Sequence, residues 1–206
     1  MSPRQIARFF YLLAKRFDEP CTIILTGAGA GAIYGRVRAT LDLDFALRFK
    51  TKGRTKKEKL WKHFDQAVRE VTSLTGIAAQ YAEDIDRWSA ITFLDYEKHT
   101  RRFQKFGTIE VRLLEPGYWA IGKLARYLDP DIRDLVRVLK KTKTSWSDLV
   151  RLAGLALRKS PKSTSCFLFR RQVEDFLSAS GRALWGKSYS AEKAVRCFRR
   201  HAGMEV

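Results

Sequence analysis

From Leu41 to Leu47 the chain reads Leu-Asp-Leu-Asp-Phe-Ala-Leu, so Asp42 and Asp44 stand two apart inside an otherwise apolar segment. Successive side chains of a strand project to opposite sides. Both acids therefore share one face, while Leu41, Leu43 and Phe45 take the other. Two carboxylates aimed the same way repel each other, and a fold tolerates them when something positive lies between. Hard oxygen ligands so placed suit Mg²⁺ or Mn²⁺. No other stretch constrains the fold as tightly, because it requires a strand with one apolar and one charged side.

The residues around it supply a frame. Residues 21–26 form a short β-branched and apolar run, the pattern of a buried strand. Gly27, Gly29 and Gly31 follow, separated by alanines, which lets backbone approach a ligand at the start of a short helix through Ala32 and Tyr34. The carboxylate strand then spans 40–47. Upstream, Ile6, Phe9, Phe10 and Leu13 recur at helical intervals within 3–17, with Ser2 and Pro3 as N-cap and first-turn residues and Pro20 closing the segment. Downstream, 51–54 is a basic loop and 57–74 a helix with Leu60, Trp61, Phe64, Ala67, Val68 and Val71 on its apolar side.

Residues 77–81 and 90–95 read as strands on either side of an acidic loop, Glu83-Asp84-Ile85-Asp86. Residues 107–114 alternate, with Ile109, Val111 and Leu113 on one face and Thr108, Glu110 and Arg112 on the other. From Pro116 the pattern is helical: 117–128, 131–141, 146–157, 167–179 and 191–200, broken at 129–130, 142–145, 160–165 and 181–190. Strands interspersed with helices, then helices alone, predict an α+β fold with α/β-like character. The expected division is a mixed-sheet domain at 1–115 and a helical C-terminal domain at 116–206, with 159–165 the most linker-like stretch.

Charge narrows the partners. The 206 residues carry a formal net charge of +18, which favours polyanions, and nucleic acid is the commonest of these in a cytoplasm. The charge is uneven. Residues 48–62 hold eight Lys or Arg against one Glu, and the chain from Ser145 onward holds twelve against five acids. No apolar run approaches the ~18–20 residues of a membrane span. The three cysteines, Cys21, Cys166 and Cys197, lack metal-site spacing and read as reduced and structural. These features predict a cytoplasmic protein without a membrane partner.

Gly27-Ala28-x-Ala30 followed by Gly35-x-x-Arg38-x-Thr40-x-Asp42-x-Asp44 resembles the signature of the DNA polymerase β-like nucleotidyltransferase superfamily. A second segment, Glu115-Pro116-Gly117-Tyr118-Trp119-Ala120-Ile121-Gly122-Lys123-Leu124-Ala125 with Asp131-Ile132-Arg133-Asp134 beyond it, is similar to the Lys helix and downstream acidic pattern of nucleotidyltransferase-like toxins of abortive-infection and toxin–antitoxin systems. Lys123 and Asp131 are eight residues apart, as that pattern wants. Pro130 stands where the family has Lys, and Ala28 where it has a second Gly or Ser; the latter keeps the backbone N–H but removes a side-chain contact to phosphate.

The resemblance implies a nucleotidyltransferase sheet flanked by helices. It implies Asp42 and Asp44 as metal ligands, with Mg²⁺ or Mn²⁺ as cofactor and a nucleoside triphosphate as substrate. Gly27, Ala28, Arg38, Thr40, Lys123 and Asp131 become the nucleotide-binding set. The chemistry implied is two-metal displacement at the α-phosphorus, which needs a third carboxylate on a neighbouring strand. Alternation around Glu110 makes it one candidate; the family order, with the third acid ahead of the strand into the Lys helix, favours Asp95, which joins Asp42 and Asp44 as catalytic.

Each residue also has a plainer role. Arg38 and Thr40 serve as a brace for the turn, Lys123 as a snorkelling lysine on an apolar helix face, and Asp131 and Asp134 as first-turn charges favoured by the helix dipole. The expected function is transfer of a nucleotidyl group to a hydroxyl acceptor, with RNA, tRNA in particular, as acceptor through the basic surface. The toxin-like segment adds a toxin role with an antitoxin protein as partner. The alternatives are a non-catalytic nucleic-acid-binding protein on the same fold and a small-molecule, antibiotic-modifying nucleotidyltransferase. The latter needs an acidic pocket that the basic loops argue against.

Overall fold

The computed structural model describes residues 1–35, 40–51 and 53–204. Arg38 lies outside the described residues. The chain separates into two compact units, one built from Met1–Ile85 with Thr100–Leu114 and the other from Asp86–His99 with Glu115–Val206. The fold is α+β, a mixed sheet in the first unit and a helical C-terminal part.

In the first unit α1 (Pro3–Ala14) starts in a capping box: the Ser2 hydroxyl accepts from the Gln5 N–H and the Gln5 side chain accepts from the Ser2 N–H. The remaining elements are β1 (Cys21–Leu25), α2 (Gly27–Gly35), β2 (Asp42–Phe49), α3 (Arg54–Thr75), β3 (Ala78–Ala82), β4 (Thr100–Phe106) and β5 (Ile109–Leu114). The strands are ordered β3-β2-β1-β5-β4. β1 runs antiparallel to β2 and parallel to β5, β3 runs parallel to β2, and β4 closes a hairpin on β5. Gly107, at φ 53°, leads the two-residue turn of that hairpin.

One side of this sheet is an aromatic layer. Phe45 of β2 meets Phe10 of α1 at 6.0 Å and Phe64 of α3 at 6.2 Å between ring centroids, and stacks on Tyr81 of β3 at 5.2 Å. Phe17 meets Phe64 edge-on at 5.1 Å. Offset and edge-to-face contacts of this kind add to the burial of the rings themselves. Anchored by Phe45, β2 cannot slip by one residue without turning that ring out of the layer and its acids into it.

The second unit holds α4 (Pro116–Arg126), α5 (Asp129–Thr142), α6 (Trp146–Lys159), α7 (Thr164–Trp185) and α8 (Ala191–His201). α6 and α8 cross closely at Gly154, where a Cβ would lie 3.0 Å from the Phe198 carbonyl oxygen. α7 continues six residues past the expected end at 179. Gly181, the apparent breaker, instead admits the Tyr189 ring, which a Cβ there would overlap.

Two sequence expectations are corrected. Residues 90–95 form no strand. Their backbone N–H groups are taken by side chains: Thr92 donates to Ser160 Oγ at 2.9 Å and Phe93 to Asp86 Oδ1 at 2.7 Å, and Leu94 sits at φ 58°. With side-chain partners for these donors, the segment does not enter a ladder. It packs with the helices, Phe93 lying against Gly122 of α4, although it was expected within the first domain. Conversely, β4 was not anticipated. Its sequence, Thr-Arg-Arg-Phe-Gln-Lys-Phe, carries charge where alternation is sought, as edge strands do to deter further pairing.

Candidate functional site

β2 presents Asp42 and Asp44 half-buried on one face, with Leu43 and Phe45 fully buried on the other. The expectation of a shared face is met. β1 ends at Leu25, and Thr26 extends its pairing by donating its N–H to the Asp44 carbonyl at 2.8 Å. Gly27 follows at φ 57°, opening α2. A Cβ on Gly27 would lie 2.0 Å from Asp44 Oδ2. Glycine is needed here twice over, for the left-handed backbone and for the carboxylate lying against its Cα. Ala28 is buried and directs no polar side chain toward the turn.

Asp42 is held from two sides. The Thr40 hydroxyl donates to its Oδ1 and the Gln80 amide to its Oδ2, the latter at 3.3 Å. Gln80 stands on β3 directly beside Asp44, and Ala78 beside Asp42. Thr26 is the corresponding neighbour on β1. Neither strand flanking the acids therefore places a third carboxylate level with them. Gln80 was missed because β3 is read from its apolar residues and nothing in sequence sets its register against β2.

Glu110 belongs to the level of Thr22 and Arg48, four residues along β2 from Asp44, or about 13 Å at strand rise. Its carboxylate accepts from Arg112 at 2.7 Å, and the same guanidinium donates to the hydroxyl and carbonyl oxygens of Thr100 at 2.6 and 3.0 Å. Asp95 belongs to the second unit, ahead of a 3-10 turn at Tyr96–Lys98, with its side chain 72% exposed and paired to Lys98 at 3.4 Å. Among the described residues, no three His, Cys, Asp or Glu side chains group so as to hold a metal ion. Asp42 and Asp44 still fit one divalent cation, since Mg²⁺ is commonly bound through one or two carboxylates with substrate phosphates completing its shell. Protein ligands for a second ion are not assembled among the described residues.

Lys123, on α4, is buried. Its ammonium donates to Asp131 Oδ1 at 2.8 Å and Asp134 Oδ2 at 2.9 Å, both on α5, and lies 5.6 Å from the Trp119 ring centre. Arg126 adds a two-pronged contact to Asp131, with both bonds 2.6 Å. Burial alone would raise the Asp131 pKa, but the hydrogen bonds from Arg126 and Lys123 outweigh it and hold the carboxyl below its usual range. The eight-residue spacing of Lys123 and Asp131 thus brings them together across the α4–α5 turn. Arg126, one helical turn from Lys123, completes the cluster and was legible only as a helix-end cation.

Burial pushes the Cys21 thiol up to about 12, so it packs as an apolar group. Comparison with protein-family models, with curated proteins and with solved structures finds no match.

Proposed function

We propose that the chain is a metal-dependent nucleotidyltransferase that moves a nucleotidyl group from a nucleoside triphosphate to a hydroxyl of an RNA acceptor. One observation carries this reading: the Asp42 and Asp44 carboxylates share a strand face at the mouth of a glycine turn whose first residue lies against Asp44. Asp42 and Asp44 would hold Mg²⁺ or Mn²⁺, which when bound neutralises phosphate charge and lowers the pKa of an attacking hydroxyl. Thr40 and Gln80 orient Asp42 through its two oxygens. The Gly27 backbone admits phosphate oxygens close to the N-terminus of α2. Lys123 in this reading is a brace between α4 and α5, because both of its bonds go to buried carboxylates. A toxin role, with an antitoxin protein as partner, belongs to the same proposal.

The test is incubation of the full chain with each labelled nucleoside triphosphate, Mg²⁺ and total RNA, followed by gel separation. Metal-dependent label in RNA supports the proposal; label confined to protein or to a small molecule moves the acceptor. A second reading, a nucleic-acid-binding protein that keeps the fold without the chemistry, is favoured by the lack of a third carboxylate beside the pair among the described residues. It predicts salt-sensitive RNA binding with no label transferred under any metal.

A further inference from the structure

Well away from the carboxylate pair, the sheet of the first unit carries a cleft of about 350 Å³ lined by Pro20, Lys50, Arg102, Lys105, Thr108 and Glu110. Its charge arises from strand register. In β4, Arg102 pairs with Arg112, but Lys105 pairs with Glu110, because the ladder shifts between Arg102 and Gln104. Without that shift, residues three apart on a strand would face opposite sides. The bulge turns Arg102 and Lys105 onto the same face. Lys50 continues the Asp42, Asp44 and Arg48 face of β2 by period 2, one step beyond the Thr22–Arg48 pair.

Glu110, the one acid of the lining, is already matched by Arg112 at 2.7 Å. Among the described residues, Lys50, Arg102 and Lys105 have no carboxylate partner, in contrast to Lys57 and Arg48, which pair with the acidic loop. Three cations converge on one opening whose single acid, Glu110, is already bonded to Arg112. All three are exposed, which suits contact with a polymer backbone through counterion release rather than an enclosed small anion. Lys50, one residue past the end of β2, is six residues from Asp44, about 20 Å at strand rise. The anion bound there is therefore not the triphosphate at the carboxylate pair.

We infer that this cleft is a backbone-phosphate site for the RNA acceptor, with Lys50, Arg102 and Lys105 as its contacts. It rests on the proposed function only for the identity of the polymer. The experiment is binding of a fluorescent, tRNA-sized RNA to the full chain without Mg²⁺ or nucleotide, across a range of salt concentrations. It can therefore fail while nucleotidyl transfer succeeds, and the reverse.

Each Lys or Arg lost from a single-stranded contact lowers the slope of log K against log salt by about 0.7, so the Lys50→Gln, Arg102→Gln, Lys105→Gln variant is expected to lose about 2. A control with the same charge change on exposed residues of the second unit, Lys140→Gln, Lys141→Gln, Lys187→Gln, is expected to keep the parent slope. Lys50→Gln alone, expected to lose about 0.7, checks the result in a chain altered at one exposed position. An unchanged slope in the cleft variant, or an equal loss in the control, overturns the site. Equal competition by duplex DNA overturns the assignment to RNA.

Discussion

At the scale of single residues, the carboxylate pair and the glycine beside it carry the proposed chemistry and its tests. Asp42→Asn and Asp44→Asn each replace a carboxylate of the proposed metal site without changing side-chain volume, and on that proposal are expected to abolish metal-dependent transfer while thermal unfolding stays cooperative. Full incorporation by either variant in the labelled-nucleotide assay would falsify the mechanism. Gln80→Ala leaves both acids in place but frees one oxygen of Asp42 from its donor. Loss of an orienting partner of a metal ligand commonly costs about 10- to 100-fold in metal affinity, so the metal concentration for half-maximal activity is expected to rise. Gly27→Ala combines a left-handed backbone, costing roughly 1–2 kcal/mol for an L side chain, with a Cβ that would overlap Asp44 Oδ2. Its denaturation midpoint is expected to fall, and adding Asp44→Ala to recover part of the loss, a coupling that a double-mutant cycle measures.

At the scale of elements, the clamp between α4 and α5 gives the clearest stability test. Lys123→Met leaves Asp131 and Asp134 buried with one cation fewer, and breaking a buried pair typically costs about 3–5 kcal/mol. Denaturant unfolding should register a loss of that order; a change within about 0.5 kcal/mol, the size of an ordinary surface substitution, would show that the ammonium does not stabilise the helix pair. The pH dependence has a definite sign. Asp131 is held below its unfolded value, near 3.8, so its contribution is complete above that pH and is lost as pH falls toward the folded value. Unfolding free energy measured from neutral pH downward should fall below about pH 4, and more gently in Asp131→Asn. Elements with an unbroken apolar period were legible: α1, α3 and α5 lie close to their expected spans. β4 was not, because its charges at Arg101, Arg102 and Lys105 keep no period of two and a bulge interrupts its ladder. The 90–95 segment was misread because its donors are satisfied by Asp86 and by Ser160, the latter sixty-eight residues from Thr92.

At the scale of the whole molecule, a net charge of +18 raises the energy of every compact state through self-repulsion. Added salt shortens the Debye length to about 10 Å at 0.1 M, so the thermal midpoint at neutral pH is expected to rise between low and moderate salt. A midpoint that falls over that range, measured by circular dichroism, would place the cations in stabilising pairs instead. Among the described residues no helix is long and apolar enough to cross a membrane. The chain by itself determined that Asp42 and Asp44 share a face, that Gly27 opens the following helix, and that α1 and α3 each carry an apolar side. All of these are set by the repeat of a strand or helix and by short spacing. Only the tertiary structure decided which residues stand beside the pair, Gln80 of β3 above all. That outcome depends on register between strands distant in sequence, which local periodicity does not encode.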